Sequence, residues 1–227
     1  MDHTDREYHH KLGQIRSCIL RMAGLVEKMI GDSVAALLNN DLDLARSVME
    51  RDREVDGLEL EIDDLSATTL ARWQPMASDL RFVILSVKMV TDLERIGDLA
   101  VNIAERTPDF AKDSPRWRWD EVEQMSGLAQ SMVHDAIDAF LTRSVDKAQA
   151  VIDQDDLMDQ TYERAFELIF SSIIAAPVEL RLGVHGLSIA KWLERIGDHA
   201  TNLAEQVIFM LKGKDVRHAA RARDAES

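Results

Sequence analysis

The chain has 227 residues, of which 46% are hydrophobic and 30% are charged, so it has enough apolar side chains for a folded core and is not a disordered polypeptide. Its 4 Pro and 10 Gly favour helices over a sandwich or barrel, which needs frequent turn residues. The formal net charge of −14 disfavours binding to nucleic acid, which requires a basic surface.

Three helices are predicted in the first half, because apolar residues recur every three or four positions along three stretches. The first helix ends where residues 39–41 (NND) interrupt the pattern and offer a cap for the second. The second ends before Pro75, since the residue preceding a proline resists the helical conformation. The third begins near Asp79 and closes at Pro108. The residues of the three apolar stripes are Leu12, Ile15, Ile19, Met22, Val26 and Met29; Val55, Leu58, Ile62 and Leu65; and Leu93, Ile96, Ala100 and Ile103.

The second half repeats this plan, with helices predicted near 118–142, 146–175 and 178–211. The plainest match is the run LERIGD, which occurs at 93–98 and again at 193–198, an offset of 100. Upstream of this run the two halves continue to match at an offset of 103. Six identical residues within a collinear series indicate an internal duplication.

Three amphipathic helices joined by short turns form an antiparallel bundle, so the predicted fold is all-α, with two tandem three-helix bundles related by duplication. The predicted bounds are residues 5–107 for the first bundle, 108–117 for a linker, 118–212 for the second bundle and 213–227 for a polar tail.

Other features suggest an intracellular location. The single cysteine, Cys18, excludes an internal disulfide framework and fits a reducing compartment. Residues 1–16 lack the apolar segment of a signal peptide, and no apolar run approaches the roughly 18 residues of a membrane span. We therefore expect a cytoplasmic protein.

Paired carboxylates are the candidate functional groups. Glu94 and Asp98 are four residues apart, so they lie one turn apart on one helix face, opposite the apolar stripe. The same spacing recurs in Asp52 and Asp56, in Asp155 and Asp159, and in Glu194 and Asp198.

The row on the second helix is longer in the first half than in the second. Glu59 and Asp63 extend it by two acids, whereas Tyr162 and Phe166 stand at the equivalent positions of the second half. An acidic face opposite an apolar stripe is usually a solvated face. Like charges at this spacing destabilise a helix unless something offsets them, and few lysines lie nearby. Neighbouring helices that join two pairs would form a four-carboxylate site for Mg, Ca, Mn or iron, and zinc also accepts carboxylates.

Two functional classes remain open on the residues alone. One is a regulatory adaptor without turnover, and the other is a carboxylate-bridged di-iron enzyme or an iron-storage protein. The second class needs Glu-x-x-His twice within a bundle, and the chain offers only Glu7 with His10. No Gly-rich phosphate loop or hydrolase nucleophile motif is present, so we expect a protein that is not an enzyme.

The duplicated signature L-E-R-I-G-D-x-A-x-N-x-A-E, preceded by D-x-x-x-D on the helix before it, resembles the PhoU family of phosphate-specific transport accessory and regulatory proteins. The resemblance extends from about Tyr8 to Lys212 and implies two three-helix bundles with multinuclear clusters of iron or zinc. The ligands that it implies are Asp52, Asp56, Glu94 and Asp98 in the first bundle, and Asp155, Asp159, Glu194 and Asp198 in the second.

The resemblance also implies a role. A PhoU-like protein would be a cytoplasmic negative regulator of phosphate uptake and of the phosphate-starvation response. Its implied partners are a phosphate-sensing histidine kinase and the ATPase subunit of a phosphate ABC transporter, and a homodimer is expected. It would meet the membrane only through these partners and would not bind nucleic acid.

Overall fold

The computed structural model of the chain describes residues 3–113, 115 and 117–213. It confirms the all-α fold, and the described residues contain no β-strand. The helices are α1 (His3–Asn39), α2 (Leu42–Trp73), α3 (Ala77–Ala104), α4 (Thr107–Lys112), α5 (Asp120–Thr142), α6 (Val145–Ala175) and α7 (Leu180–Lys212), with a 3-10 turn at Pro177–Glu179 before α7. Among these helices, none combines the length and apolar character needed to cross a lipid bilayer.

The helix boundaries follow from local chemistry. Asp41 caps α2 as predicted, because its Oδ1 accepts hydrogen bonds from the backbone N–H groups of Asp43 (3.1 Å) and Leu44 (2.9 Å). At the other end of α2, Gln74 adopts the left-handed conformation and donates its N–H to the carbonyl of Leu70. Pro75 then prevents the helix from continuing.

The connection between the repeats is helical and packed. Pro108, predicted to end a helix, lies instead in the first turn of α4, where its missing N–H leaves no hydrogen bond unmade. Phe110 and Trp117 are 3% and 7% exposed, and their rings meet edge to face with centroids 6.4 Å apart. The bounds given for the two bundles stay a prediction, and residues 214–227 of the predicted tail lie outside the described residues.

The three predicted apolar stripes are buried, with Leu12 at the edge of the core. Within the first repeat α2 packs on α1 and α3, and within the second repeat α6 packs on α5 and α7. The repeats join through α1 against α5 and α3 against α7, so one continuous cluster of buried side chains spans both.

A polar contact links the repeats beside this shared core. Asp92 of α3 accepts hydrogen bonds from Gln206 Nε2 (2.5 Å) and Asn202 Nδ2 (3.5 Å) of α7, and its carboxylate lies 2.9 Å from His199 Nδ1. The Asp92 side chain is only 14% exposed. Because a shift of α7 along α3 would leave this buried carboxylate without its three partners, these contacts fix the register of the two helices.

Glycine at position 186 allows α7 to pack against the connection between the repeats. A Cβ atom added there would lie 2.9 Å from Cζ2 of the buried Trp117 ring. We expect Gly186→Ala to lower the free energy of unfolding by about 1–2 kcal/mol, because overpacking outweighs the gain in helix propensity. Gly127→Ala in α5 is the matched control, since a Cβ there meets nothing within 4 Å. It should stabilise the protein by about 0.5–1 kcal/mol in the same urea titrations. Equal effects of the two substitutions would contradict this account of the packing.

Candidate functional site

The first carboxylate cluster lies between α2 and α3. Gly97 of α3 lies beside Asp52 of α2, since a Cβ atom added at Gly97 would be in ordinary van der Waals contact with Asp52 Oδ1, at 3.5 Å. The pKa of Asp52 is raised to about 6, chiefly by burial and then by the negative charges of Asp56 and Asp98. Burial also raises the pKa of Glu94, with a second contribution from the charge of Asp98. The structure therefore brings the four predicted acids of this repeat together.

Two further side chains belong to this first cluster. Burial raises the pKa of Glu59, and the charges of Asp63 and Asp56 raise it further. The guanidinium of Arg95 lies 3.4 Å from Glu94 Oε2 and 3.3 Å from Asp98 Oδ2, so it offsets part of the negative charge. Because the Arg95 side chain is 56% exposed, these ion pairs are screened by water and contribute little stability.

The second cluster lies between α6 and α7 and contains the other four predicted acids. The pKa of Asp155 is raised to about 6, chiefly by burial and then by the charges of Asp159 and Asp198. Burial also raises the pKa of Asp198 and of Glu194. Oε2 of Glu194 is buried without a hydrogen-bond partner, which is a costly state for a carboxylate oxygen.

Lys191 distinguishes the second cluster from the first. Its ammonium group donates to Glu194 Oε1 (2.5 Å) and lies 5.2 Å from the centroid of the Tyr162 ring. At the offset of 100 between the repeats, Thr91 stands at the equivalent position of the first repeat. Sequence analysis missed Lys191, although aligning the two copies of the signature would have revealed this exchange of threonine for lysine.

Burial differs within the clusters, since Asp56, Asp159 and Asp198 are exposed and the other five acids are partly buried. The opposition of acidic and apolar stripes on α3 predicts exposed acids, yet the side chains of Glu94 and Glu194 are only 19% and 12% exposed. The reason is that each acidic row faces the row of the neighbouring helix, which covers it. Asp98, further toward the open side of the groove, is 45% exposed.

The donor set suits a cation, since carboxylate oxygens are the ligands that hard metal ions prefer. Burial is the main cause of the raised pKa values and the charges of neighbouring acids are a further one, so a cation would offset both costs. The unpartnered oxygen of Glu194 offers a further ligand atom. In the described part of the chain, however, no group of three or more Asp, Glu, His or Cys side chains already stands in metal-binding geometry. The carboxylates would therefore have to turn toward a common ion, and the ligand set stays a prediction.

The histidine next to the second cluster and the glutamate of the predicted Glu-x-x-His element both bind residues outside the clusters. His199 follows Asp198 in the sequence, but its ring contacts Asp92 in the interface between the repeats. Glu7, from the predicted Glu-x-x-His element, instead binds Arg72 at the C-terminal end of α2 (2.8 Å). That end lies about 20 Å along the helix from Glu59, by the helical rise of 1.5 Å per residue. Nothing in this arrangement favours the di-iron alternative.

The comparison with known proteins agrees with the fold and with the duplicated signature. The model of the PhoU domain matches twice, at residues 19–107 and 122–207. The phosphate-specific transport system accessory protein PhoU homolog of Pseudomonas putida is 39% identical over 223 residues, which are 97% of this chain and 87% of that protein.

Two solved structures share the architecture. The crystal structure of PhoU from Pseudomonas aeruginosa superposes with a TM-score of 0.88 at 38% identity, covering 91% of this chain and 100% of that one. The phosphate transport system regulatory protein PhoU from Streptococcus pneumoniae superposes with a TM-score of 0.85 at 26% identity, covering 92% and 99%.

The fold and the two clusters define a duplicated helical protein with one paired-carboxylate groove in each repeat. With a family model matched on both repeats and a relative 39% identical over nearly the whole length, the chain belongs to the PhoU family. This is a non-enzymatic family of accessory and regulatory proteins, so the prediction that the chain is not an enzyme is confirmed.

Proposed function

We propose that this chain is a metal-binding regulatory adaptor of phosphate transport. It acts in the cytoplasm as a negative regulator of phosphate uptake and of the phosphate-starvation response. Its partners are the phosphate-sensing histidine kinase and the ATPase subunit of the phosphate transporter, and it works as a homodimer that reaches the membrane only through them. The observation that carries the proposal is the family match over both repeats, together with a complete set of four acids in each.

Metal ions are the second part of the proposal. In the first repeat Asp52, Asp56, Glu94 and Asp98 would hold iron or zinc, and in the second Asp155, Asp159, Glu194 and Asp198 would do so. Mg, Mn or Ca are compatible with the same oxygen donors. A bound cation would supply positive charge that neutralises the groove, and in each repeat the chain holds part of its carboxylates, Asp52 and Glu94 or Asp155 and Glu194, partly buried between two helices.

An adaptor without turnover acts by binding one state of a partner better than another, so it needs a contact surface. Such a surface lies on α6, where Phe166, Phe170 and Ile174 are 40%, 48% and 66% exposed. The rings of Phe166 and Phe170 stack with centroids 5.8 Å apart. The equivalent positions of the first repeat hold Asp63 and two alanines at an offset of 103. An apolar stripe of this kind on an acidic protein supports contact with another protein.

The proposal is tested by affinity capture of the tagged full-length chain from phosphate-replete cells. Mass spectrometry should recover the histidine kinase and the transporter ATPase, and recovery should fall in phosphate-starved cells. Metal in the purified chain is measured in parallel by elemental analysis. If neither protein is recovered from replete cells, the adaptor function is wrong.

The α6 stripe gives a sharper prediction. We expect the double variant Phe166→Ser/Phe170→Ser to lower recovery of at least one of these two partners about ten-fold or more, since exposed aromatic residues dominate protein interfaces. Leu60→Ser on α2 is the matched control, because Leu60 is 70% exposed and lies on the first repeat. It should leave recovery unchanged, and the thermal midpoints of all the proteins should agree closely. Full recovery with the double variant would exclude this stripe as the contact surface.

A further inference from the structure

A pair of adjoining cavities lies away from the carboxylate clusters, near the N-terminal ends of α1 and α3. The larger one has a volume of about 370 Å³ and is bounded by α1, α3 and the turn between α5 and α6. The smaller one, of about 150 Å³, extends toward the C-terminal end of α7. Phe82 and Arg143 line both cavities, so the two meet at these residues.

Three arginines line this space in a chain that has 41 acidic residues and 27 Lys and Arg. Arg16 and Arg143 line the larger cavity, and Arg81 and Arg143 line the smaller one. In the part of the chain that the structure describes, none of the three is within 4 Å of a carboxylate oxygen. Guanidinium groups that have no carboxylate partner among the described residues are unexpected in such an acidic protein, and they are well suited to bind an anion.

The three arginines differ in their surroundings, and Arg143 is exposed. The guanidinium carbon of Arg16 lies 5.5 Å from the centroid of the Phe82 ring and 6.0 Å from that of Phe140, which restrict its position. The Nε atom of Arg81 is buried and has no hydrogen-bond partner, so one donor of this guanidinium is unsatisfied.

Arg143 occupies a backbone position that arginine does not favour. It adopts the left-handed conformation with φ 52° at the end of α5. The equivalent residue of the first repeat is Asn40, with φ 53°, and asparagine is among the residues that tolerate this conformation. The second repeat thus carries a charged side chain over the cavity where a smaller residue would fit the backbone better.

In the second repeat, the arginine equivalent to Arg81 binds a carboxylate. Arg181 corresponds to Arg81 at the offset of 100, and its guanidinium donates to Asp109 of α4 (2.8 Å). Trp119 corresponds to Arg16 at the offset of 103. In the second repeat α4 therefore supplies a carboxylate to this arginine, and the ring of Trp119 stands where the first repeat has Arg16. In the first repeat the arginine lacks such a partner and faces a cavity.

Asp79 is the acidic residue that lines the larger cavity. Its Oδ2 accepts a hydrogen bond from the Tyr8 hydroxyl (2.7 Å), which orients the carboxylate. One negative charge against three arginines leaves the space net positive. Phe82 is only 6% exposed, so it offers no ring face on which a nucleobase could stack.

We propose that these cavities form a binding site for a small inorganic oligophosphate, with Arg16, Arg81 and Arg143 as its ligands. Three guanidinium groups exceed what one phosphoryl group requires, and the volume of the larger cavity falls in the range of small-molecule sites. This site is separate from the carboxylate clusters and does not depend on the proposed function. Its ligand would occupy the place that the Asp109 carboxylate occupies in the second repeat.

Calorimetric titration of the full-length chain with pyrophosphate and with tripolyphosphate tests the site. The protein is stripped of metal and kept in chelator, so that phosphate bound through a cation cannot contribute. Saturable binding of one oligophosphate per chain is expected, at least ten-fold tighter than binding of orthophosphate or sulfate. Equal affinity for these simple anions would overturn the assignment, as would the absence of binding at millimolar concentration. Tighter binding of ATP than of tripolyphosphate would overturn the choice of an inorganic ligand.

Two variants connect the binding to these residues. Arg143→Asn installs the residue of the first repeat at the left-handed position, so it should fold at least as well as the parent while losing at least ten-fold in affinity. Arg81→Gln should lose affinity by a similar factor. Arg53→Gln, an exposed site on α2, makes the same change in net charge and should bind like the parent. Parental affinity in both cavity variants, with circular dichroism unchanged, would refute the site.

Discussion

Replacing the four predicted ligands of the first cluster by their amides is expected to abolish metal binding in that repeat while leaving the helices intact. An amide keeps the shape of the side chain but loses the anionic oxygen that a hard cation requires. The free energy of unfolding of the metal-free variant, measured in urea, should exceed that of the metal-free parent by about 1–2 kcal/mol, because four mutually repelling acids have become neutral. The substitutions are Asp52→Asn, Asp56→Asn, Glu94→Gln and Asp98→Asn.

Elemental analysis after reconstitution with iron or zinc, with circular dichroism beside it, measures this effect. The matched control is Asp64→Asn with Asp156→Asn, two exposed acids on α2 and α6 outside the clusters. It should retain the metal content of the parent. If the quadruple variant binds as many metal ions per chain as the parent, and more than the second cluster alone can hold, the four acids are not the ligands.

The two clusters should differ in affinity because their neighbours differ. In the first repeat Glu59 and Asp63 add negative charge, and Arg95 is exposed enough to move away. In the second repeat the ammonium of Lys191 already occupies Glu194 Oε1, and Tyr162 stands where Glu59 would be. A metal ion in the second cluster would lie beside the ammonium of Lys191, which repels it, whereas one in the first cluster would meet only a screened arginine. We therefore expect metal to bind more tightly to the first cluster, and metal titrations of variants that retain one cluster measure this.

Most of the fold could be predicted from the sequence, because long amphipathic helices carry a periodic signal of their own. The stripe of Val55, Leu58 and Ile62 is buried as its spacing predicts. Helix α4 lacked such a signal. It has six residues and a proline in its first turn, and its stability comes from packing of Phe110 against the rings of Trp117 and Trp119. Contacts of this kind depend on tertiary structure, so local spacing could not predict the helix.

The sequence predicts which acids share a face of one helix, but it does not predict how the faces of two helices meet. The spacing of Glu94 and Asp98 places them on one face, but their half-burial depends on the register of α3 against α2, which spacing does not determine. The contact of Lys191 with Glu194 follows helical spacing and could have been found. The meeting of Arg16, Arg81 and Arg143 could not, because it joins residues from three parts of the chain.

The metal-free protein should lose stability as the pH rises from about 4 to about 6. Asp52 and Asp155 both have a pKa raised to about 6 in the folded state, from an ordinary value of 3.8. Between these values the folded chain binds more protons than the unfolded chain, so the free energy of unfolding falls as the pH increases. Each group is half-exposed and screened by water, so each contributes about 1 kcal/mol.

Urea titrations of the metal-free chain at pH 5 and pH 7 measure this dependence. Other groups of the chain also change protonation between these pH values, so the informative quantity is the difference between the parent and the double variant Asp52→Asn/Asp155→Asn. Because pH 5 to pH 7 covers about half of the expected change, the decline between these values should be about 1 kcal/mol smaller in the variant, whereas Asp64→Asn with Asp156→Asn should keep all of it. Metal at saturating concentration should reverse the trend in the parent, because deprotonated carboxylates are the form that binds a cation. A decline of equal size in the parent and in the variant would show that protonation of these two acids does not govern the stability of the grooves.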